Sequence, residues 1–343
     1  MKTNNTQSDL QQRMAALIND GTAKSTRRAY TRGINYIHHY LKLSLNLDEH
    51  YPVAVDSILR FILDHVGDMP ADIAKTLMAK GLRKNMRPLR INTLRRYLTS
   101  LSVAHQERGL VSPTRDPSIG LLLRRAANAM RQRPRKKAAI TKPVLEAMLA
   151  TCDNSLRGVR NKALLLSGFA AGGRRRSELV SLKVEHLERI EGGYLIKLTK
   201  SKTDQAGKGQ SLPLLGTAAK ALSEWLLRAG IREGHLFRGI RNNNHLNPSI
   251  SGRAINDLVK HHAKLAGFNP NDFGAHSLRA GFITEAGCQG ISLKDAMQLS
   301  GHHDTTVALG YYRHGQLISN PATRLVNDIN DNNSKENSNG NIW

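Results

Sequence analysis

The chain has 343 residues, of which 40% are hydrophobic, and its formal net charge is +24 at pH 7. A chain of this length and apolar content folds into about two domains with their own cores, which excludes a disordered protein. So large an excess of Lys and Arg predicts a polyanionic partner, and nucleic acid is the commonest one.

Other classes of protein are excluded by what the sequence lacks. The opening residues contain no apolar core, so we expect no secretory signal peptide. No apolar run approaches the length of about 18 residues that a membrane-spanning helix needs. Cys152 and Cys288 are far apart and lack CxxC spacing, which predicts reduced thiols rather than a disulfide or a metal site.

Apolar periodicity in the first part of the chain predicts helices. We expect residues 1–22 to be a flexible N-terminus with at most a short amphipathic helix. Five helical stretches follow, one capped by Ser25 or Thr26, one after Pro52, and three at about residues 73–80, 91–109 and 117–130. Because no strand pattern occurs before residue 190, residues 23–130 should form an all-helical domain.

Two groups of basic residues in this helical part have almost no acidic residues among them. Pairing with acids at helical spacing therefore cannot explain them, and phosphate contact is the better interpretation. The predicted DNA-binding residues are Arg83, Lys84, Arg87, Arg90, Arg95, Arg96, Arg124, Arg125, Arg133, Arg135 and Lys136. The second group continues into residues 131–140, where Pro134 and the like charges predict an extended basic linker.

From residue 141 the pattern changes to helices around a small sheet. Alternating residues predict strands at 194–199 and 210–214, joined by a polar, basic hairpin end at 200–209. Helical stretches at about 144–150, 159–171, 217–229 and 251–266, with more up to about residue 310, surround these strands. We therefore expect a mainly α fold with a small β-sheet (α+β), a second domain at residues 141–330, and a disordered, Asn-rich tail at residues 331–343.

One stretch near the end of the chain concentrates side chains that can bind and attack a phosphate. His276 and Arg279 are three residues apart and share a face if this stretch is helical. An imidazole and a guanidinium on one face can clamp a phosphate. His302 follows a glycine, and the adjacent Tyr311 and Tyr312 come nine and ten residues after it.

Together with two residues from earlier in the chain, this stretch could break a phosphodiester without a metal ion. The nonbridging oxygens gain charge towards the transition state, and Arg175, Arg279 and His302 could neutralise it. The phenol of Tyr311 could attack the phosphorus, because cationic neighbours favour its ionised form. Lys202, in the predicted hairpin end, could protonate the departing 5′ oxygen. The adjacent histidine pairs of the chain lack completing Cys or carboxylate ligands, so we expect no metal and no cofactor.

The ordered set of Arg, Lys, His-x-x-Arg, His and Tyr resembles the tyrosine recombinase (phage integrase) family, including its Cre-like and Xer-like members. The resemblance implies catalytic roles for Arg175, Lys202, His276, Arg279, His302 and Tyr311, with Lys200 and Tyr312 as alternatives and Glu178 in a supporting role. It also implies a helical core-binding domain and a catalytic domain that form a C-shaped clamp on DNA. A homo-tetramer on paired sites is implied too, with a C-terminal helix, here residues 317–329, lent to a neighbour.

The resulting hypothesis is a site-specific DNA recombinase of a mobile genetic element that acts on double-stranded DNA with inverted-repeat binding sites. It would cleave and rejoin strands through a 3′-phosphotyrosyl intermediate without metal or ATP. We expect it to act in the cytoplasm, on nucleoid, plasmid or phage DNA, and to have no membrane partner. A type IB topoisomerase or telomere resolvase would share this chemistry. A non-catalytic architectural DNA-binding protein would share only the charge.

Overall fold

The computed structural model describes residues 13, 20–48, 51–131, 137–198, 209–320 and 322. These residues are mostly helical and include a three-stranded antiparallel sheet, which confirms the predicted α+β class. The chain divides into two compact units, Met1–Pro134 and Arg135–Trp343. Most of the predicted N-terminus and C-terminal helix, the tail, residues 132–136 of the linker and the hairpin end lie outside the described residues.

The first unit is built of helices whose apolar faces meet in one core. They are α1 (Lys24–Leu45), α2 (Val55–Val66), α3 (Ala71–Ala79), α4 (Ile91–Gln106) and α5 (Pro117–Ala129). Ile37, Phe61 and Leu94 are fully buried at the centre of this core. The predicted cap at Ser25 or Thr26 is wrong, because α1 begins one residue earlier and its cap, Ala23, forms no side-chain hydrogen bond.

The second unit surrounds its sheet with helices. Its elements are α6 (Lys142–Ala150), α7 (Leu156–Ala170), α8 (Arg176–Ser181), β1 (Leu187–Ile190), β2 (Gly193–Leu198), β3 (Gln210–Leu215), α9 (Gly216–Arg228), α10 (Gly252–Leu265), α11 (His276–Cys288), α12 (Leu293–Ser300) and α13 (Thr305–Ile318). The sheet order is β1-β2-β3. The alternation predicted for β2 is present, since Tyr194, Ile196 and Leu198 are buried in the core.

Strand β1 was not expected, and the statement that no strand pattern precedes residue 190 is wrong on this point. β1 lies at the edge of the sheet, and its last three residues are exposed, so its sequence has no alternating pattern. It forms through antiparallel pairing with β2, in which Leu187 stands opposite Ile196. Tertiary pairing rather than local preference therefore determines this strand.

Helix α11 is fixed to the chain segment that enters the second unit. Ile140 N donates to Ser277 O at 3.0 Å, and Ala138 N donates to Asp272 O at 2.8 Å. Gly281 allows this approach, because a Cβ at that position would lie 1.9 Å from Ile140 O. The main chain of residues 138–140 thus packs directly on the main chain of α11.

A buried polar network joins α6, α7 and α10. His262 Nδ1 lies 2.7 Å from Thr151 Oγ1, and its Nε2 lies 2.8 Å from Asn161 Nδ2. Asn161 Oδ1 in turn accepts from Arg160 Nη2 at 2.6 Å. Because the amide of Asn161 donates to Nε2, the neutral ring carries its proton on Nδ1 and donates it to Thr151. Burial and the neighbouring His261 lower the pKa of His262 to about 4.

We expect Gly281→Ala to lower the free energy of unfolding of the second unit by about 2 kcal/mol, because the added methyl group would overlap a backbone oxygen that cannot move freely. Urea unfolding followed by the fluorescence of the buried Trp225 measures this change. Gly310→Ala in α13 is the matched control, since nothing lies within 4 Å of its added Cβ. The control should raise stability by up to about 1 kcal/mol through helix propensity. Equal effects of the two substitutions would contradict the proposed close contact.

Acidification from pH 7 to pH 5 should destabilise the second unit. The pKa of His262 is about 4 in the folded protein and near 6.5 in the unfolded chain. Between these values the unfolded state binds more protons, so stability rises with pH in this window and is complete above about pH 6.5. The expected contribution is at most about 1.4 kcal/mol per pH unit. Urea unfolding at several pH values should give a smaller slope for His262→Gln, and an unchanged slope would show that this ring is not kept neutral.

Candidate active site

The loop between α7 and α8 carries two adjacent arginines, Arg174 and Arg175. Gly172 and Gly173 precede them with φ angles of 84° and 68°, in the left-handed region that favours glycine. A Cβ on Gly173 would lie 2.5 Å from Arg279 Cα, so this loop packs against the main chain of α11. The glycines therefore bring the arginines of the loop beside Arg279.

Three guanidinium groups gather at the C-terminal end of α12. Each donates to one of three successive carbonyl oxygens: Arg174 to Leu299, Arg279 to Ser300 and Arg175, at 3.5 Å, to Gly301. The last carbonyls of a helix lack partners within the helix and carry the negative end of its dipole, so they favour cations. This helix end therefore orients all three groups and offsets part of their mutual repulsion.

One carboxylate, Glu178, partners two of these arginines. Its Oε1 lies 2.8 Å from Arg175 Nη1, and its Oε2 lies 3.5 Å from Arg174 Nη1. Oε2 also accepts from the backbone N–H of Arg175 at 3.0 Å. Glu178 is 3% exposed, so it is a buried counter-charge that orients the Arg175 side chain. Arg174 was not among the residues predicted from the sequence, although the acid four residues after it was a signal for pairing.

Arg279 and His302 share a hydrogen bond in the partly buried interior of the site. Arg279 Nε donates to His302 Nε2 at 3.1 Å. Burial, followed by repulsion from Arg175 and Arg174, lowers the pKa of Arg279 to about 9. Burial, followed by repulsion from Arg279, lowers the pKa of His302 to about 4. Arg279 Nη2 is buried and has no hydrogen-bond partner among the described residues. An anion bound here would satisfy this donor and reduce the repulsion between the cations.

His276 is the first residue of α11, and its side chain is exposed beside the arginines. Partial desolvation, with repulsion from Arg279 and Arg175, lowers its pKa. The ring is therefore neutral at pH 7 and can accept a proton. The predicted pairing of His276 and Arg279 on one face of a helix is present in α11.

The adjacent tyrosines of α13 have different surroundings. Tyr312 is 8% exposed and packs with Ile283 and Ala296, and its hydroxyl donates to Ile291 O at 2.7 Å. Tyr311 is half-buried at the border of the same cluster. A hydroxyl bonded to a carbonyl within a core must break that bond to meet a substrate. The burial of Tyr312 and its bond to Ile291 O thus suit a structural role within this cluster.

Lys200 and Lys202 lie outside the described residues, but the strands that lead to them end beside the site. β2 ends at Leu198, and β3 begins at Gln210. Gln210 Nε2 donates to Gln298 O at 2.6 Å, in the last turn of α12. Strand β3 therefore begins next to the helix end that binds the three arginines.

A cationic groove lies in the first unit, between α1 and α4. It includes a cavity of about 1170 Å³ and a second cavity that shares the lining residues Arg32 and Tyr36. The basic lining residues are Lys24, Arg27, Arg28, Arg32, Arg83, Lys84, Arg87, Arg90 and Arg96. These lining residues include no carboxylate. Four of these residues lie on α1 and were not predicted, although their spacing of three to four residues was a signal for one cationic helix face.

Arg83, one of the predicted DNA contacts, is turned into the fold of the first unit. The side chain is 6% exposed, and its guanidinium donates to Asn85 O at 2.8 Å, Tyr36 Oη at 3.2 Å and Arg87 O at 2.7 Å. These bonds shape the loop before α4. The predicted contacts Lys84, Arg87, Arg90, Arg95, Arg96, Arg124 and Arg125 are exposed, whereas Arg133, Arg135 and Lys136 lie outside the described residues.

Two further features of the ranges that the structure describes concern metals and membranes. In those ranges, no group of three or more His, Cys, Asp or Glu side chains could hold a metal ion. No helix in the same ranges is long and apolar enough to cross a bilayer.

Comparison with known families and proteins matches this chain to DNA recombinases. Residues 138–317 match the Phage integrase family. The integrase/recombinase xerD homolog of Selenomonas ruminantium is 32% identical over 249 residues, which cover 69% of this chain and 72% of that protein. The recombinase cre of Escherichia phage P1 is 24% identical over 71% of this chain and 76% of that protein.

Solved structures show the same fold at lower sequence identity. A lambda integrase dimer bound to a COC′ core site has a TM-score of 0.57 and 16% identity, over 90% of this chain and 95% of that one. The Tn1549 transposon integrase in complex with transposon right end DNA has a TM-score of 0.57 and 17% identity, over 90% and 96%.

Glu178→Gln should lower the free energy of unfolding by about 3 kcal/mol, because it leaves the buried Arg174 without its counter-charge. The matched control is Glu224→Gln, which breaks an exposed pair with Arg228 at 3.7 Å and should change stability by less than about 0.5 kcal/mol. Urea unfolding of both variants at pH 7 measures the difference. Similar losses in the two variants would mean that Glu178 does not compensate the arginine cluster.

Proposed function

Because the chain belongs to the phage integrase family of tyrosine recombinases, we propose that it cleaves and rejoins DNA at specific sites through a covalent 3′-phosphotyrosyl intermediate. The observation that carries this proposal is the group of Arg175, Arg279, His276 and His302 around one buried donor, Arg279 Nη2, that has no partner among the described residues. Such a site suits a single phosphate with developing negative charge.

In the proposed reaction the scissile phosphate binds between Arg175 and Arg279. Both guanidiniums can then donate to the nonbridging oxygens, and Arg279 Nη2 gains a partner where the described residues offer none. Tyr311 Oη attacks the phosphorus and forms the tyrosyl phosphodiester, while the bond from phosphorus to the 5′ oxygen breaks. A neutral His276 is available to accept the phenol proton, and Lys202 is proposed to protonate the 5′ oxygen.

Rejoining is the reverse of this step with a different 5′ hydroxyl as the attacking group. The tyrosyl phosphodiester preserves the energy of the broken bond, so no nucleotide is needed. The cations stabilise charge on the phosphate through fixed N–H donors, and we propose that the reaction requires neither a metal ion nor another cofactor.

We further propose that the first unit is the core-binding domain, residues 23–130, and that its cationic groove contacts the DNA backbone. Eight basic lining side chains other than the buried Arg83, with no carboxylate among the lining residues, support this role. A homo-tetramer on paired, inverted-repeat sites completes the proposal. Leu317, near the end of α13, is 62% exposed, which suits a helix end that contacts a neighbouring subunit.

The proposal is tested with a suicide duplex from DNA that flanks the gene, nicked so that the cleaved fragment diffuses away. In EDTA the unmodified chain should form a covalent adduct, which peptide mass spectrometry locates at Tyr311. Tyr311→Phe should form no detectable adduct but still bind DNA, because only the attacking oxygen is lost. Tyr312→Phe is the matched control and should keep the adduct, because that hydroxyl bonds Ile291 O.

Other outcomes would change the proposal in defined ways. An adduct at Tyr312 would keep the chemistry and reject Tyr311 as the nucleophile. An adduct that forms only with added Mg²⁺ would reject the metal-free mechanism. Tight, salt-sensitive binding without an adduct across a genomic library would reject the enzyme and favour an architectural DNA-binding protein.

A further inference from the structure

His302 is held at both ring nitrogens, and one of its partners has no part in the chemistry described above. Arg279 Nε lies 3.1 Å from Nε2. Ser300 Oγ lies 2.8 Å from Nδ1. Ser300 is the last residue of α12 and is fully buried, and its Oγ also lies 3.3 Å from Met297 O in the preceding turn.

The direction of each hydrogen bond follows from what the groups can donate. A guanidinium only donates, so Nε2 of His302 accepts from Arg279 and the neutral ring carries its proton on Nδ1. Nδ1–H then donates to Ser300 Oγ, and the hydroxyl proton of Ser300 donates to Met297 O. If the hydroxyl donated to Nδ1 instead, the ring proton would lie on Nε2 and face the N–H of Arg279. Every donor of this network therefore meets an acceptor only when Arg279 donates to His302, His302 to Ser300 and Ser300 to Met297 O.

The chain geometry at this point makes the contact possible. Gly301 follows α12 with a φ of 65°, which reverses the chain so that the ring of His302 returns to the residue that ends the helix. If position 300 had no side-chain acceptor, the Nδ1–H group of His302 would lose the partner that Ser300 Oγ provides. An unpaired buried donor costs about 1–3 kcal/mol, so the ring would turn or change its tautomer.

We propose that Ser300 is a positioning residue that keeps the proton of His302 on Nδ1, so that Nε2 is the nitrogen presented to the scissile phosphate. This inference rests on the proposed function. In the free protein Nε2 accepts from Arg279. When a phosphate oxygen engages the donors of Arg279, the ring takes a proton from solvent at Nε2. The proton stays on the ring, and the Nε2–H group donates a hydrogen bond to a phosphate oxygen. Ser300 Oγ accepts from Nδ1–H in both charge states, so the ring keeps its orientation while its charge changes.

The charges around the ring explain why an acceptor at Nδ1 matters. Arg279 and His276 face it from α11, and Arg175 and Arg174 face it from the loop before α8. Burial and these cations keep the pKa of His302 near 4 in the free protein. A bound anion offsets the repulsion and raises this pKa, and the Ser300 hydroxyl supports the charged ring by accepting its second N–H.

Nitrogen NMR of the full chain, labelled with ¹⁵N at histidine, tests the orientation of the ring with inorganic phosphate as the probe. The His302 signals are identified by their loss in His302→Gln. Without phosphate at pH 7, the unmodified chain should show Nδ1 protonated and Nε2 unprotonated. Ser300→Ala should show mixed tautomers, and Ser300→Thr should restore the original ones. Phosphate should raise the pKa of His302 in the unmodified chain and raise it less in Ser300→Ala.

Ser167→Ala is the matched control for these spectra. It removes another buried hydroxyl from the same unit, and that hydroxyl has no hydrogen-bond partner among the described residues. The control should therefore leave the His302 signals and the cleavage rate unchanged.

Single-turnover cleavage of the suicide duplex tests what the orientation does for the reaction. Ser300→Ala should cleave about 10- to 100-fold more slowly, as is typical when the partner that fixes a functional histidine is lost. Ser300→Thr should recover most of the rate, because the hydroxyl returns. Urea unfolding of each variant separates these changes from a loss of fold.

Identical His302 tautomers in the unmodified chain and in Ser300→Ala would overturn the proposal. A changed tautomer with an unchanged cleavage rate would overturn it as well, because the orientation would then not affect the reaction. If Ser300→Thr does not fold, the comparison of Ser300→Ala with Ser167→Ala decides the matter. An unmodified chain that cleaves no DNA would instead defeat the proposed function, and the spectra would still decide whether Ser300 fixes the ring.

Discussion

The site depends on holding three positively charged guanidiniums together in a partly buried space. Arg174, Arg175 and Arg279 repel one another, and burial removes the water that would screen them. Two features offset this cost: the carboxylate of Glu178, and the three carbonyl oxygens at the end of α12. Neither feature neutralises the group completely. The remaining positive charge would attract a phosphate. The same charge destabilises the free protein, so a feature that neutralised it would raise stability and lower the affinity for an anion.

This arrangement assigns different tasks to neighbouring residues of the same type. Arg174 is fully buried and bonds the helix end, whereas Arg175 is partly exposed and can reach a ligand. Tyr312 is part of a core, whereas Tyr311 lies at the border of that core. In both pairs the two residues have the same chemical type. They differ in burial and in the residues that each side chain contacts, and this difference separates their roles.

Much of the fold followed from apolar periodicity, since α1 to α5 and the strand β2 each bury one face of a regular pattern. The candidate site followed from the spacing of His276, Arg279 and His302. Other features depend on contacts between distant parts of the chain. Arg83 had the same local sequence context as its basic neighbours, but Tyr36 and the loop carbonyls turn it inwards. Strand β1 and the hydrogen bond from His302 to Ser300 likewise arise only after the chain has folded.

The contact of Ile140 with Gly281 has a mechanical consequence. Ile140 is hydrogen-bonded to Ser277, on the helix that carries His276 and Arg279. Ala138 is hydrogen-bonded to Asp272, in the segment just before that helix. A force applied to the chain before residue 138 would therefore act first on this helix and not on a distant part of the unit. Because Gly281 leaves no side chain between the two backbones, the joint is stiff. The helix that bears His276 and Arg279 thus serves as the anchor of the incoming chain.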